Sequence, residues 1–259
     1  MRKMTRTRGI VPEEVRLILV LVALAWPAPA SARDVARIAE PAVPVTSAAS
    51  ASPAQFVSPS ATQRPRANFL SEIASMDARR VADWVVVSGD NNGLPFVVID
   101  KIGARVFVFD DGGRLRGATF ALLGKARGDD SVPGIGNRKL SAIRPDERTT
   151  PAGRFVATLG HDFEHDILWI DYAASISLHR VITGNPGDHR LQRLTTTSSL
   201  DKRITYGCVN VPVKFYEDVV LRTFTGTTGV AYILPETKKI EDVFSLSGGA
   251  VSSDAIGSH

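Results

Sequence analysis

The chain has 259 residues, 22% charged and 44% hydrophobic, with a formal net charge of +4 and a single cysteine. Residues 1–32 hold five basic and two acidic side chains, so the remainder carries only +1. That excludes a bulk electrostatic drive toward nucleic acid or an anionic membrane surface, and one cysteine excludes an internal disulfide framework.

Arg2, Lys3, Arg6, Arg8 and Arg16 precede an apolar run from Leu17 to Trp26, and Ala30-Ser31-Ala32 follows as a small-x-small cleavage pattern. This reads as an export signal over 1–32, with a mature start at Arg33 and a periplasmic or cell-envelope destination. The ten apolar residues are too few to span a bilayer, so no stable membrane insertion is expected after the signal is removed. Residues 33–67 are rich in Ala, Pro, Ser and Val, as in Ser47-Ala48-Ala49-Ser50-Ala51-Ser52-Pro53. Such a stretch buries too little apolar surface to offset its ordering entropy and reads as a flexible tether. One folded domain is expected over 68–240, followed by a loose Ser/Gly-rich tail over 241–259.

Along the domain, a short helix is expected near 70–80. Strands follow at Trp84–Val87, Phe96–Asp100, Arg105–Phe109 and Leu115–Leu122, broken by Asp90-Asn91-Asn92-Gly93 and Asp110-Asp111-Gly112-Gly113. β-Branched and aromatic alternation between Asp/Asn/Gly clusters is the pattern of an antiparallel meander. Further strands are expected at Arg154–Thr158, Ile167–Tyr172, Ile176–Val181 and Val230–Leu234. Pro212 suits a first helical position, with Val213, Tyr216, Val219, Val220 and Phe224 at helical spacing after it. The fold class is mainly β, a sandwich or barrel of antiparallel and mixed strands with one or two short helices. A wholly parallel α/β sheet would need helical crossovers that the pattern lacks.

Three motifs fail for lack of context. His161-Asp162-Phe163-Glu164-His165 matches H-x-x-E-H, but that zinc pattern works on a helix, and here it lies between two strand-like runs. Gly117 to Gly124-Lys125-Ala126 has the wrong spacing for a phosphate loop, and Pro133-Gly134-Ile135-Gly136 lacks a third glycine. No metal, nucleotide or organic cofactor is expected.

Cys208 sits in Ile204-Thr205-Tyr206-Gly207-Cys208-Val209-Asn210-Val211-Pro212. An unpaired thiol in an exported protein is either a buried bystander or a reactive group, and a glycine directly before it favours the display of a nucleophile. The thiol needs a base. His161 and His165 fall in the expected hairpin loop and His259 at the tail, while His189 lies in a Gly/Pro/Asn turn. His179, in Ile176-Ser177-Leu178-His179-Arg180-Val181, shares a strand face with Ser177, where a rigid backbone can hold a hydrogen-bond geometry. A structural histidine is the alternative there, with His189 the reserve base.

At these residues the sequence resembles the L,D-transpeptidase catalytic domain (YkuD-like) family. Thr205-Tyr206-Gly207-Cys208-Val209-Asn210 is similar to its cysteine block, Leu178-His179-Arg180 to its histidine block, and Thr149-Thr150-Pro151-Ala152-Gly153-Arg154-Phe155 to its Thr-Pro-x-Gly-x-Phe segment. The chain departs from that pattern in three places. Tyr206 stands where the family has a histidine, and Arg180 where it has a glycine. The 29-position gap from His179 to Cys208 implies an added loop around Asn185–Asp201. The resemblance implies an L,D-transpeptidase-type fold and cross-linking of peptidoglycan stem peptides through an acyl-enzyme thioester. Cys208 would be nucleophile and His179 base, with a tetrapeptide donor and a diamino-acid amine acceptor. It further implies that the Arg180 carbonyl orients the ring and that amides around Tyr206, Gly207 and Cys208 bind the oxyanion. Asn210 would fix the loop, contact substrate or cap the following helix. Two alternatives remain: an L,D-carboxypeptidase or amidase-type hydrolase of the same family, and a non-catalytic wall-binding module with an inert cysteine.

Overall fold

The structure is a computed structural model and describes residues 66–162 and 165–246. The export signal at 1–32, the tether up to residue 65, Phe163, Glu164 and everything from 247 on, His259 included, lie outside the described residues. In chain order, helix α1 (Met76–Ser88) precedes β1 (Phe96–Asp100), β2 (Arg105–Phe109), β3 (Leu115–Phe120) and β4 (Leu123–Gly124). Then come β5 (Gly153–Asp162), β6 (His165–Asp171), β7 (Ile176–Arg180), α2 (Arg190–Thr195), β8 (Arg203–Thr205) and β9 (Val209–Val211). The last elements are α3 (Val213–Phe215), a π-helical turn (Tyr216–Leu221), α4 (Arg222–Phe224), β10 (Thr228–Ile233) and α5 (Ile240–Val243).

Among the described residues, eight strands form one mixed sheet in the order β3-β2-β1-β10-β5-β6-β7-β9, and β4 pairs with β8 beside it. The meander β1-β2-β3 is antiparallel as expected. β10 inserts between β1 and β5, parallel to the first and antiparallel to the second. β9 lies parallel to β7. The sheet nearly closes into a barrel, because Leu122, just past β3, exchanges both backbone hydrogen bonds with Asn210 of β9 (2.8 and 2.9 Å). The architecture is therefore mainly β with a few short helices.

The unbroken apolar run of β1 follows from burial on both faces. Val97 and Ile99 join one core with Val106, Val108, Leu168, Leu178, Val209 and Tyr216. Phe96 and Val98 join the other, with Val81, Val85, Phe107, Phe109, Tyr232 and Phe244. The helical segment after Pro212 covers the first face through Tyr216, Val220 and Phe224, at the spacing expected for it.

Several boundaries differ from the sequence reading: β5 runs on to Asp162, so His161 lies on a strand and not in a loop, and two further differences change the layout. Trp84–Val87 is the last part of α1 and not a strand. Ala78, Val81, Ala82 and Val85 are buried at helical spacing, Ser75 caps the first turn by accepting from the Ala78 amide, and Gly89 ends the helix at φ 69°. Tertiary burial of that stripe overrides the β-propensity of three valines. At the other end, Ile240 and Phe244 pack in the second core, so the domain runs past residue 240 and the first part of the expected tail is structural. No helix of the described residues is long and apolar enough to cross a membrane.

A buried ion cluster anchors the segment before β5. The Lys101 ammonium, with no exposed side-chain surface, donates to Asp129 Oδ1 (2.6 Å), the Gly128 carbonyl (2.6 Å) and the Thr150 carbonyl (2.9 Å). Burial alone would raise the Asp129 pKa, but Lys101, the Thr237 hydroxyl and the amides of Glu236 and Lys238 hold it well below the carboxylate range. Replacing one partner of such a pair leaves the other charge buried without compensation. Lys101→Met is expected to lower unfolding stability by about 3–5 kcal/mol, read as a reduced urea midpoint at unchanged slope.

Candidate active site

The parallel pairing of β7 with β9 matches Leu178 to Val209, His179 to Asn210 and Arg180 to Val211. One step earlier, Cys208 lies beside Ser177. The Ser177 hydroxyl donates to Cys208 Sγ at 3.6 Å, and the thiol donates to the Ser175 carbonyl at 3.5 Å. Ser177 and His179 point to the same side of β7, two residues apart. The structure therefore gathers Ser177, Cys208, His179 and Asn210 on one short stretch of two adjacent strands.

The imidazole is fixed at both nitrogens. Nδ1 lies 2.7 Å from the Arg180 carbonyl, which can only accept, so Nδ1 carries the proton. Nε2 lies 3.0 Å from the Asn210 amide nitrogen and accepts from it. Asn210 is turned this way because its carbonyl oxygen accepts from Arg190 at 3.0 Å. Asn210 is thus no helix cap, and the segment after Pro212 has no side-chain cap. Among the described residues no hydrogen bond joins the ring to the sulfur.

Gly207 makes the turn that presents Cys208. Its φ is 137°, and a β-carbon there would lie 2.7 Å from both the Thr149 carbonyl oxygen and the Ile176 side chain, so only glycine fits. Thr150 Oγ1 donates to the Gly207 carbonyl (2.7 Å) and accepts from the Gly124 amide (2.9 Å). On the other side, Thr205 Oγ1 donates to the Cys208 carbonyl (2.7 Å) and accepts from the Gly207 amide (3.1 Å). This corrects the expectation for Gly207, whose N–H is already satisfied and is not open to an oxyanion.

The two family departures find local roles. The Arg148 guanidinium lies 3.8 Å from the Tyr206 ring centroid and donates to the Ile143 carbonyl. The Arg180 cation is drawn off by Asp166 (3.0 Å) and Glu217 (3.2 Å) and lies over the Tyr216 ring. Only the Arg180 carbonyl reaches the site. His189, the reserve base, is exposed at the start of α2 with φ 50°, while the adjacent Arg190 turns inward. His161 and His165 occupy facing strands of the β5–β6 hairpin, with Asp162 opposite His165, so the zinc-like pattern has no helix beneath it.

Electrostatics hold thiol and ring neutral. Burial pushes the Cys208 pKa up, partly offset by the Ser177 hydroxyl and the backbone amides of Ser177 and Cys208. Burial pulls His179 below its usual value against the Arg180 carbonyl, and the Arg190 cation pulls the same way as burial.

The sequence reading named Cys208, His179 and Asn210 but not Ser177, the thiol's hydrogen-bond partner, or Arg190, the partner of Asn210. The strand-face period pointed to Ser177. Nothing local to Arg190 could have done so.

No protein-family model matches the chain, and no curated protein matches it by sequence. Among solved structures, it is similar to the helical cell shape determining protein Pgp2 from Campylobacter jejuni at 16% identity and TM-score 0.38, covering 63% of this chain and 57% of that one. It is similar to an L,D-transpeptidase from Enterococcus faecium at 14% identity and TM-score 0.32, covering 54% and 49%. An L,D-transpeptidase from Xylanimonas cellulosilytica is similar at 15% identity and TM-score 0.32, covering 54% and 60%. The chain thus spans between about half and three-fifths of the length of these structures.

Proposed function

We propose that this chain is an exported cysteine acyltransferase of L,D-transpeptidase type, acting on peptidoglycan stem peptides in the cell envelope. The observation that carries this reading is the shared face of β7 and β9. It sets a thiol on a glycine turn beside a strand histidine whose Nδ1 proton is held by a carbonyl. In this reading Cys208 attacks the carbonyl of the third residue of a tetrapeptide stem while Nε2 of His179 takes the thiol proton, exchanging its hydrogen bond from Asn210 for that proton. In this reading the Cys208 and Tyr206 amides supply the donors to the developing oxyanion, the role preorganised donors play in acyl transfer. Collapse of the intermediate breaks the peptide bond, and the terminal D-alanine leaves with the proton from His179. The thioester then passes to the amine of a diamino acid on a neighbouring stem, with His179 accepting its proton.

One observation favours a second reading, a non-catalytic wall-binding module. The thiol rests on Ser177 and Ser175 rather than on the ring. Water in place of the amine would make the same site a carboxypeptidase.

Mass analysis after incubation with a defined tetrapeptide stem separates the three. A cross-linked dimer means transfer, a shortened peptide alone means hydrolysis, and neither, together with no carbapenem adduct on Cys208, means a binding module. Cys208→Ala is expected to abolish the adduct with an unchanged circular dichroism spectrum, and His179→Gln to slow acylation by on the order of 10²–10⁴-fold. The base is active when deprotonated, and its pKa lies below the usual 6.5. Carbapenem acylation is therefore expected to hold its rate below pH 6.5 and to fall only in more acidic buffer, where the imidazole gains its proton. A midpoint above 6.5 contradicts the assignment.

A further inference from the structure

The segment between β7 and β8 is longer than a connection requires, and it is internally pinned. Arg193 donates to the carbonyls of Asp188 and Asp201 (both 2.7 Å), and the buried Lys202 ammonium donates to the carbonyls of Thr196 and Ser198. Leu194 packs against Leu122 and Val181. On this platform stands Arg190, its side chain 17% exposed. Its Nε pairs with Asp188 at 2.9 Å, and the other Asp188 oxygen accepts from Asn185 at 3.0 Å. Its terminal nitrogen reaches Asn210 Oδ1.

Resting on the function proposed above, we infer that Arg190 is a positioning residue. Acting through Asn210, it keeps amide protons on Nε2, so that the ring, whose Nδ1 proton the Arg180 carbonyl holds, stays singly protonated with its Nε2 lone pair aimed at one donor. A carboxamide can present either its oxygen or its nitrogen to the ring. A guanidinium accepts nothing, so its contact forces the oxygen of Asn210 outward and the amide protons toward Nε2. Without Arg190 the amide is free to turn over and present its oxygen to Nε2, which favours a second proton on the ring. The same cation opposes protonation of the ring. The other groups that bear on the ring are Asp162 of β5, which favours the imidazolium, His165 of β6, which opposes it, and the Arg180 carbonyl.

The test reads the ring itself in protein without substrate, by imidazole ¹⁵N shifts across pH in the wild type and Arg190→Gln. The wild type should show the Nδ1–H tautomer. Arg190→Gln should move the His179 midpoint upward and shift the acid limb of carbapenem acylation in the same direction, with acylation slowed on the order of 10–100-fold. If Arg190→Gln does not fold, Asp188→Asn, which loosens Arg190, should move the midpoint the same way. A wild-type midpoint in the folded variant overturns the inference. Because the shifts need no turnover, a protein that shows them yet is never acylated loses the functional reading and keeps the positioning role. A protein acylated normally with no shift does the reverse.

Discussion

Three residue pairs between β7 and β9 carry the site. Parallel pairing is slightly weaker per residue than antiparallel and needs a long connection, and here the connection is the pinned segment that contains α2. Once Leu178 is registered against Val209, the positions of the thiol, the ring and the carboxamide follow from strand geometry alone. A slip of one residue would turn Cys208 and Asn210 to the opposite face of β9 and His179 would lose its neighbour. The register is held by burial, since Leu178, Val209 and Val211 lie in one core.

A second constraint fixes the turn before Cys208. The Lys101 ammonium binds the Thr150 carbonyl, and the Thr150 hydroxyl binds the Gly207 carbonyl, so two hydrogen bonds link a buried ion pair to the turn before Cys208. A buried charge is weak evidence for net stability, and here the Lys101 ammonium spends its three donors on Asp129 and the Gly128 and Thr150 carbonyls. The segment Thr149-Thr150-Pro151, met first as a sequence similarity, thus acts by clasping the Gly207 turn.

How much of this was legible in sequence depends on the range of each signal. Strand period and β-branched content located β1, β2, β3, β7 and β10, because alternation is local. Trp84–Val87 misled, because three valines in a row carry a strand preference that only tertiary packing of α1 corrects. Gly207-Cys208 and the strand position of His179 were visible as motif and face. The partner of Asn210 was not, because Arg190 on α2 meets it across 20 positions that also hold β8, and no single period connects them. The placement of β10 between β1 and β5 was equally hidden, since each strand is apolar enough for several neighbours.

Asn210 has two jobs in one residue. Its backbone zips Leu122 to β9 and completes the near-closure of the sheet, while its side chain grips the imidazole. Breathing of the barrel seam and loosening of the base are therefore one event. Mild heat or denaturant that lets Leu122 part from Asn210, seen as faster amide exchange at both, will disarm the ring while the remainder of the sheet is still folded.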